Sequence, residues 1–189
     1  MTRELWLLRH GKAERYDGFE DYDRRLKKRG KQDAARMGDW MKATGLLPDL
    51  VISSPAVRAI MTAKIVCDSL NIPSSQIQME KRLYDEGLVR VKSVLADCPA
   101  KINRVLLVGH NPELEDLLTY VINLIDLPSV DKILPTAAFA RLLMPDDWTD
   151  LDKGCAKLLA INSPKSLKTE KEESPLEFPR LLMNARKKV

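Results

Sequence analysis

ELWLLRHG, at residues 4–11, is a short apolar run that stops at an arginine, a histidine and a glycine. A second run of the same kind, RVLLVGHN, occupies residues 104–111, and a third, LVISSP, occupies residues 50–55. Short apolar runs that are closed by turn residues are typical of strands buried in a parallel sheet. The sequence therefore predicts three interior strands, each of which ends in a polar turn.

Apolar residues recur at helical spacing after each predicted strand. The first helical pattern covers residues 26–41, and Gly45 is a suitable stop beyond it. The second and third patterns begin at the Ser-Pro of residues 54–55 and the Asn-Pro of residues 111–112. In both places an N-cap type precedes a proline at the first helical position. A weaker pattern predicts a helix over residues 89–98.

Two further strands are expected near residues 137–144 and 155–161. Alternation of strands and helices places helices on both faces of a parallel sheet. The predicted fold class is therefore α/β, a three-layer sandwich with a mostly parallel central sheet flanked by helices. We assign residues 1–168 to this domain and residues 169–189 to a C-terminal tail, docked or partly flexible, because that end mixes charges, prolines and one apolar cluster.

The composition is that of a globular protein, with 189 residues of which 44% are hydrophobic and 31% charged. Three cysteines without a CxxC pair argue against a disulfide framework and a cysteine zinc site, and they fit a reducing compartment. No apolar run approaches the roughly 18 residues that a membrane helix needs, and the first residues do not resemble a signal peptide. We therefore expect a cytoplasmic protein without a membrane partner.

The positive charge is concentrated at two places. Residues 163–189 hold seven Lys or Arg and four Asp or Glu, which is most of the net charge of +4. The rest of the chain is nearly neutral, so a general nucleic-acid-binding surface is not indicated. RRLKKRGK at residues 24–31 is a local exception, most of whose cations we interpret as the solvated start of a helix.

The chain contains two histidines, His10 and His110, and each directly follows a predicted interior strand. Ligands of open α/β sheets bind at the carboxyl ends of strands, so we expect both imidazoles at the same edge. Taken singly, each could be an ordinary loop histidine. Arg9 and Arg58, the latter in the first turn of the second helix, change that interpretation, because guanidinium groups and a helix N-terminus both suit an anion. Together these residues predict a pocket for a small dianion such as a phosphoryl group.

Several motifs, in this order along the chain, resemble the histidine phosphatase superfamily, also called phosphoglycerate-mutase-like. They are LLRHGKAE at 7–14, SSPAVRA at 53–59 and VGHNPELE at 108–115. DYDRRLKKRG at 21–30 and RLYDEG at 82–87 further resemble segments of the small SixA-type phosphohistidine phosphatases. The resemblance extends over residues 4–168 and implies a phosphoglycerate-mutase-like form of the sandwich.

This resemblance implies a phosphatase with a histidine nucleophile, which here is His10. The ring would attack phosphorus in line and form a phosphohistidine intermediate that water then hydrolyses. Arg9 and Arg58 would hold the nonbridging oxygens, and His110 would donate a hydrogen bond to the transferring group. Arg24 matches an arginine of the SixA-type segment and would be a further phosphate ligand. Neither a cofactor nor a metal is expected, because no set of ligands has metal-binding spacing.

The proton donor is the least defined part of the expected site. Larger members of the superfamily place a glutamate in a segment that matches residues 83–87 here. Asp85 aligns best and Glu86 next, and either could instead be an ordinary surface carboxylate. The P–N bond of a phosphoramidate is more labile than the P–O bond of a phosphomonoester and needs less acid catalysis. A poorly defined acid therefore fits a phosphohistidine substrate.

The segment 88–100 is too short to form a long lid, so we expect an open, shallow pocket. Such a pocket favours a phosphoryl group displayed on a phosphorylated protein over a small buried metabolite. One alternative is a phosphatase or mutase of the same superfamily that acts on a small phosphorylated molecule. The other is a non-catalytic module that binds phosphorylated protein or RNA through its basic segments. The presence of both histidines beside two arginines argues against a purely binding role.

Overall fold

The structure is a computed structural model, and its description covers most of the chain. The predicted C-terminal tail, 169–189, and Asp85 lie outside the described residues. The described residues are 2–15, 18, 20–84, 86–122 and 132–167.

Six strands and four α-helices form the described part of the chain. The strands are β1 (Arg3–Arg9), β2 (Leu50–Ser53), β3 (Ile77–Met79), β4 (Arg104–Gly109), β5 (Phe139–Met144) and β6 (Lys157–Asn162). The helices are α1 (Lys28–Ala43), α2 (Val57–Ser69), α3 (Gly87–Ala96) and α4 (Glu113–Val121). Short 3-10 helices cover Asp21–Asp23, Ser74–Gln76 and Lys81–Leu83.

The strands form one sheet in the order β3-β2-β4-β1-β5-β6. The pairs β2–β3, β2–β4 and β1–β4 are parallel, whereas β5 and β6 join one edge in antiparallel orientation. The prediction of a mostly parallel sheet is therefore confirmed, with an antiparallel hairpin-like edge added to it. Strands β1 and β4 lie side by side at the centre, although about a hundred residues separate them.

Helices cover both faces of the sheet, as a three-layer sandwich requires. Along β1, Trp6 and Leu8 pack with α1 and α2, whereas Leu5 and Leu7 pack with α3 and α4. Side chains alternate between the two faces of a strand, so a continuous apolar run is what a strand covered on both sides needs. The apolar runs read from the sequence are thus the central strands of the sheet.

The boundaries of several elements differ from the prediction. Prolines were predicted at the first positions of α2 and α4. Helix α2 instead begins at Val57, two residues after its proline, and α4 begins at Glu113, one residue after its proline. Ala56, and not Ser54, is the N-cap of α2, and the Ser54 hydroxyl contacts a histidine ring. The bond between residues 111 and 112 is a cis peptide. The short strand Ile77–Met79 was not predicted, because a three-residue strand is too short to show a periodic pattern.

Candidate active site

The register of the two central strands brings the histidines together. Arg9 of β1 is aligned with Gly109 of β4, so the residue after each strand, His10 and His110, lies at the same edge. The His10 amide donates a hydrogen bond to the Gly109 carbonyl at 3.0 Å. The two imidazole centroids are 5.1 Å apart. The structure therefore places both rings in one site, as the sequence predicted.

A pocket of about 500 Å³ opens above these rings. It receives side chains from the ends of β1 and β4, from the first turns of α2 and α4, and from the segment before α1. Polar and charged residues dominate its wall. The lining residues are Arg9, His10, Lys12, Ala13, Asp21, Arg24, Arg58, Tyr84, His110, Asn111, Pro112, Glu113 and Thr136.

The His10 ring is held by its own backbone turn. Its Nδ1 lies 2.8 Å from the Gly11 carbonyl oxygen, and since a carbonyl only accepts, Nδ1 carries the proton. The Gly11 amide donates to Thr62 Oγ1 at 3.0 Å. A Cβ on Gly11 would lie 2.5 Å from the Gly30 carbonyl oxygen, so this close approach of the turn to α1 requires glycine. The turn is therefore fixed, and the Nε2 lone pair of His10 is left for the pocket.

Burial is the main reason that both imidazoles are neutral. Burial first, and then the positive charges of Arg58, Arg9 and Arg24, lower the pKa of His10 to about 4, although the Gly11 carbonyl favours the protonated ring. Burial, followed by the charge of Arg58, lowers the pKa of His110 to about 3. At neutral pH both rings are uncharged, so each has one N–H and one lone pair.

The His110 ring is tied through its other nitrogen. His110 Nε2 lies 2.8 Å from Ser54 Oγ, in fully buried surroundings at the end of β2. Ser54 Oγ also accepts a longer hydrogen bond, of 3.4 Å, from the Ala56 amide. If the Ser54 hydroxyl donates to His110 Nε2, the ring proton lies on Nδ1. The Tyr84 ring packs edge-on against His110 with centroids 5.7 Å apart.

Asp21 organises the arginines of the pocket. Arg58 donates from Nη1 to the Asp21 backbone carbonyl and from Nη2 to Asp21 Oδ2 at 2.8 Å. Arg24 donates from Nη1 to Asp21 Oδ1 at 2.7 Å, and the Tyr84 hydroxyl lies 3.1 Å from Oδ2. A single carboxylate thus orients both guanidinium groups. Asp21 and Tyr84 were missed as site residues, although both lie in the segments on which the SixA-type resemblance rests.

Three buried nitrogen atoms of this pocket have no hydrogen-bond partner among the described residues. They are Arg9 Nε, Arg58 Nε and His110 Nδ1. Arg9 is otherwise anchored by a 2.7 Å hydrogen bond from Nη1 to the Leu134 carbonyl. Buried polar groups in native proteins are nearly always paired, so each such group needs an explanation. All three belong to side chains that line the pocket, and unpaired donors on pocket side chains are suited to binding an oxyanion.

The predicted proton donor stays a prediction, and a carboxylate that was not predicted lines the pocket. Asp85 lies outside the described residues. The Glu86 side chain is 42% exposed, pairs with Arg90 at 3.4 Å and does not line the pocket. Glu113, which begins α4 and was not singled out from the sequence, is buried and does line it. No signal in the sequence distinguished Glu113 from an ordinary acidic residue in the first turn of a helix.

The described residues contain neither a metal-binding cluster nor a membrane-spanning helix. Within the described residues, no group of three or more His, Cys, Asp or Glu could hold a metal ion. No helix in the described part of the chain has the length and apolar character needed to cross a membrane.

Comparison with known proteins shows what the chain is similar to. The sequence profile of the histidine phosphatase superfamily (branch 1) matches residues 5–86. Uncharacterized protein Rv1276c of Mycobacterium tuberculosis is 28% identical over 163 residues, which cover 84% of this chain and 100% of that protein. A 2,3-bisphosphoglycerate-dependent phosphoglycerate mutase of Bifidobacterium longum is 36% identical over 90 residues, which cover 45% of this chain and 36% of the mutase.

Solved structures extend the similarity over most of the chain. The Agrobacterium tumefaciens protein assigned as the phosphohistidine phosphatase SixA superimposes with a TM-score of 0.71 at 28% identity, covering 86% of this chain and 98% of that one. The Nakamurella protein with the same assignment gives a TM-score of 0.73 at 26% identity, covering 87% and 97%. The profile match over residues 5–86 and these two structures support the resemblance of the chain to the histidine phosphatase superfamily and, within it, to SixA-type proteins.

Proposed function

We propose that this protein hydrolyses phosphohistidine on a phosphorylated protein, through a covalent phosphohistidine intermediate on its own His10. The observation that carries the proposal is the pocket itself. Two neutral imidazoles and the guanidinium groups of Arg9, Arg58 and Arg24 line one pocket, and three buried nitrogen atoms of these side chains have no hydrogen-bond partner among the described residues. A phosphoryl group supplies the oxygens that such donors need.

His10 is the proposed nucleophile, and its attacking atom is Nε2. The Gly11 carbonyl keeps the proton on Nδ1, so the lone pair on Nε2 is available. Burial and the neighbouring arginines disfavour protonation of the ring, and no general base is needed at neutral pH. In the first step the Nε2–P bond forms while the bond from phosphorus to the leaving nitrogen breaks. In the second step water attacks phosphorus, releases phosphate and restores His10.

The remaining groups of the pocket stabilise the transferring phosphoryl group. Arg9 and Arg58 bind the equatorial oxygens and offset their charge, while Arg24 adds positive charge from the same wall. His110 donates from Nδ1, provided that Ser54 donates its hydroxyl proton to Nε2. Ser54 is thereby a positioning residue that acts through the His110 ring. Such preorganised donors typically contribute about 10²–10³-fold each to the rate.

The protonation state of Asp21 favours a substrate that needs little acid catalysis. Partial burial works to raise the pKa of Asp21, but the charge and hydrogen bond of Arg58, with the contributions of Tyr84 and Arg24, together hold that pKa below its usual range. Asp21 is therefore ionised at neutral pH and cannot donate a proton. Asp85 stays the proposed donor for ester substrates. A P–N bond to imidazole breaks more readily without such help, which supports phosphohistidine as the substrate.

A substrate panel tests the proposed function. We expect kcat/KM for a phosphohistidine peptide to exceed that for a phosphoserine peptide and an alkyl phosphate by about 10²-fold or more, since the esters depend on general acid catalysis. Asp85→Asn should reduce ester hydrolysis more than phosphohistidine hydrolysis. Equal or better turnover of the small phosphate esters would favour the small-molecule phosphatase instead. Binding without turnover of any substrate would favour the non-catalytic module.

A further inference from the structure

A second cleft, of about 300 Å³, adjoins the active-site pocket. Lys12 and Thr136 line both, so they form the wall that the two spaces share. The remaining residues around the cleft come from α1, from the segment before β5 and from the turn after β6. They are Arg29, Asp33, Pro135, Ser163, Pro164 and Lys165.

The charge of this cleft is strongly positive. It contains three cations, Lys12, Arg29 and Lys165, and one carboxylate, Asp33. The carboxylate pairs with Arg29 at 3.5 Å. Neither lysine forms an ion pair with any other described residue, and both side chains are exposed. Two unpaired ammonium groups on one concave surface attract anions, and the concave shape strengthens the local field.

Rigid elements of the fold hold every wall of the cleft. The Lys12 carbonyl accepts a hydrogen bond from the Lys27 amide at 2.9 Å, beside the close contact of Gly11 with α1. The turn at residues 163–167 is closed by hydrogen bonds between Ser163 and Ser166. Arg36 of α1 donates to the Pro164 carbonyl at 3.2 Å and ties this turn to the helix. The backbone positions from which the cations extend are therefore fixed.

The cleft is also connected to the nucleophile through the backbone. The Ala137 amide donates to the His10 carbonyl at 3.1 Å, and the Ala138 amide donates to the Pro135 carbonyl at 2.9 Å. The segment that forms one wall of the cleft is thus hydrogen-bonded to the backbone of the residue proposed to carry the phosphoryl group. A ligand that occupies both spaces must extend over Lys12 from the active-site pocket, which favours a polypeptide over a compact metabolite.

We propose that this cleft, which we call the basic cleft, binds acidic side chains that flank the phosphorylated residue of a protein substrate. The proposal rests on the proposed function, because it names the part of the substrate that lies beside the transferring group. Recognition is electrostatic, since carboxylates of the substrate would pair with Lys165, Arg29 and Lys12. The basic cleft would then contribute to specificity for the protein and leave the chemical step unchanged.

Two phosphohistidine peptides and one small substrate test the basic cleft. The peptides are identical except that three Asp or Glu residues beside the phosphohistidine are replaced by Asn or Gln in the second, and the small substrate is phosphoramidate. We expect the wild type to show a KM about five- to tenfold lower for the acidic peptide, the size of a few exposed ion pairs. Lys165→Glu should abolish this preference and change phosphoramidate turnover by less than about twofold.

The matched control is Lys157→Glu, a charge reversal on the exposed side of β6 that does not line the basic cleft. It should keep the preference for the acidic peptide. The preference should also weaken as ionic strength rises, because exposed charges are screened. A wild type without the preference, a Lys165→Glu variant that keeps it, or an equal loss in Lys157→Glu would overturn the proposal.

A binding measurement separates this proposal from the proposed function. The unphosphorylated acidic peptide, labelled with a fluorophore, is titrated with the wild type and with Lys165→Glu, and its anisotropy is followed. Weaker binding to the variant supports the basic cleft even if the wild type hydrolyses no P–N compound, in which case only the proposed function fails. Equal binding to both proteins overturns the basic cleft whatever the enzyme hydrolyses.

Discussion

The turns that follow β1 and β4 carry the same residue type but hold it by opposite nitrogens. His10 is tied through Nδ1 to a backbone carbonyl, whereas His110 is tied through Nε2 to the Ser54 hydroxyl. A carbonyl can only accept, so His10 presents a lone pair to the pocket. A hydroxyl can donate, so His110 can present an N–H. Two imidazoles of similar burial thus receive complementary roles, one as nucleophile and the other as hydrogen-bond donor.

Removing the His10 ring should have the largest effect. We expect His10→Ala to lower kcat/KM for a phosphohistidine peptide by at least about 10⁴-fold, because the covalent route is lost. The melting temperature should be measured beside the steady-state kinetics, so that a loss of folding is not taken for a loss of chemistry. Activity within tenfold of the wild type would show that His10 is not the nucleophile.

Removing the His110 ring should be less damaging. We expect His110→Ala to slow phosphoenzyme formation by about 10²–10³-fold, the usual range for one lost donor to a transition state. Rapid-quench measurement of a single turnover reports this step directly. The phosphoenzyme should still form on His10, only more slowly. If His110→Ala lost as much activity as His10→Ala, the two rings would not have the distinct roles inferred from their hydrogen bonds.

Removing the Ser54 hydroxyl should reduce activity less than removing either histidine ring, and it should act through His110. Ser54→Ala leaves the ring in place but removes the donor to Nε2, and we expect kcat to fall about tenfold. Nitrogen NMR should show that the His110 proton is no longer confined to Nδ1, a change that a purely structural role would not produce. Ser53→Ala is the matched control, because Ser53 Oγ bonds the Ser54 carbonyl and does not contact His110. Equal effects of the two substitutions would contradict the assignment.

The smallest expected difference between the two rings is the difference between their pKa values. NMR signals of the chain's two histidines should titrate near pH 4 for His10 and near pH 3 for His110, well below the ordinary value of about 6.5. Since the folded protein disfavours protonation, the free energy of unfolding should fall as the pH drops from about 6.5 towards 4. A midpoint near 6.5 for either ring would mean that it is neither buried nor near the arginines.

The sequence was sufficient for the fold class and for the meeting of the two rings. Apolar runs identify central strands, and parallel strands end at the same edge, so His10 and His110 had to lie near each other. The ring nitrogens could not be assigned, because that depends on where one carbonyl and one hydroxyl point. The contact of Asp21 with Arg58, 37 residues apart, was equally inaccessible. Predicted helix starts at residues 54–55 and 111–112 failed where site contacts displaced ordinary capping.

The position of the phosphoryl group on the intermediate tests the central claim most directly. The enzyme is mixed with a phosphohistidine peptide, quenched in base to preserve P–N bonds, digested and mapped by mass spectrometry, and the isomer is assigned by phosphorus NMR. The account predicts phosphorylation of His10 at Nε2, absent from His10→Ala. Phosphorylation of His110, phosphorylation of His10 at Nδ1, or no phosphoenzyme during active turnover would contradict it.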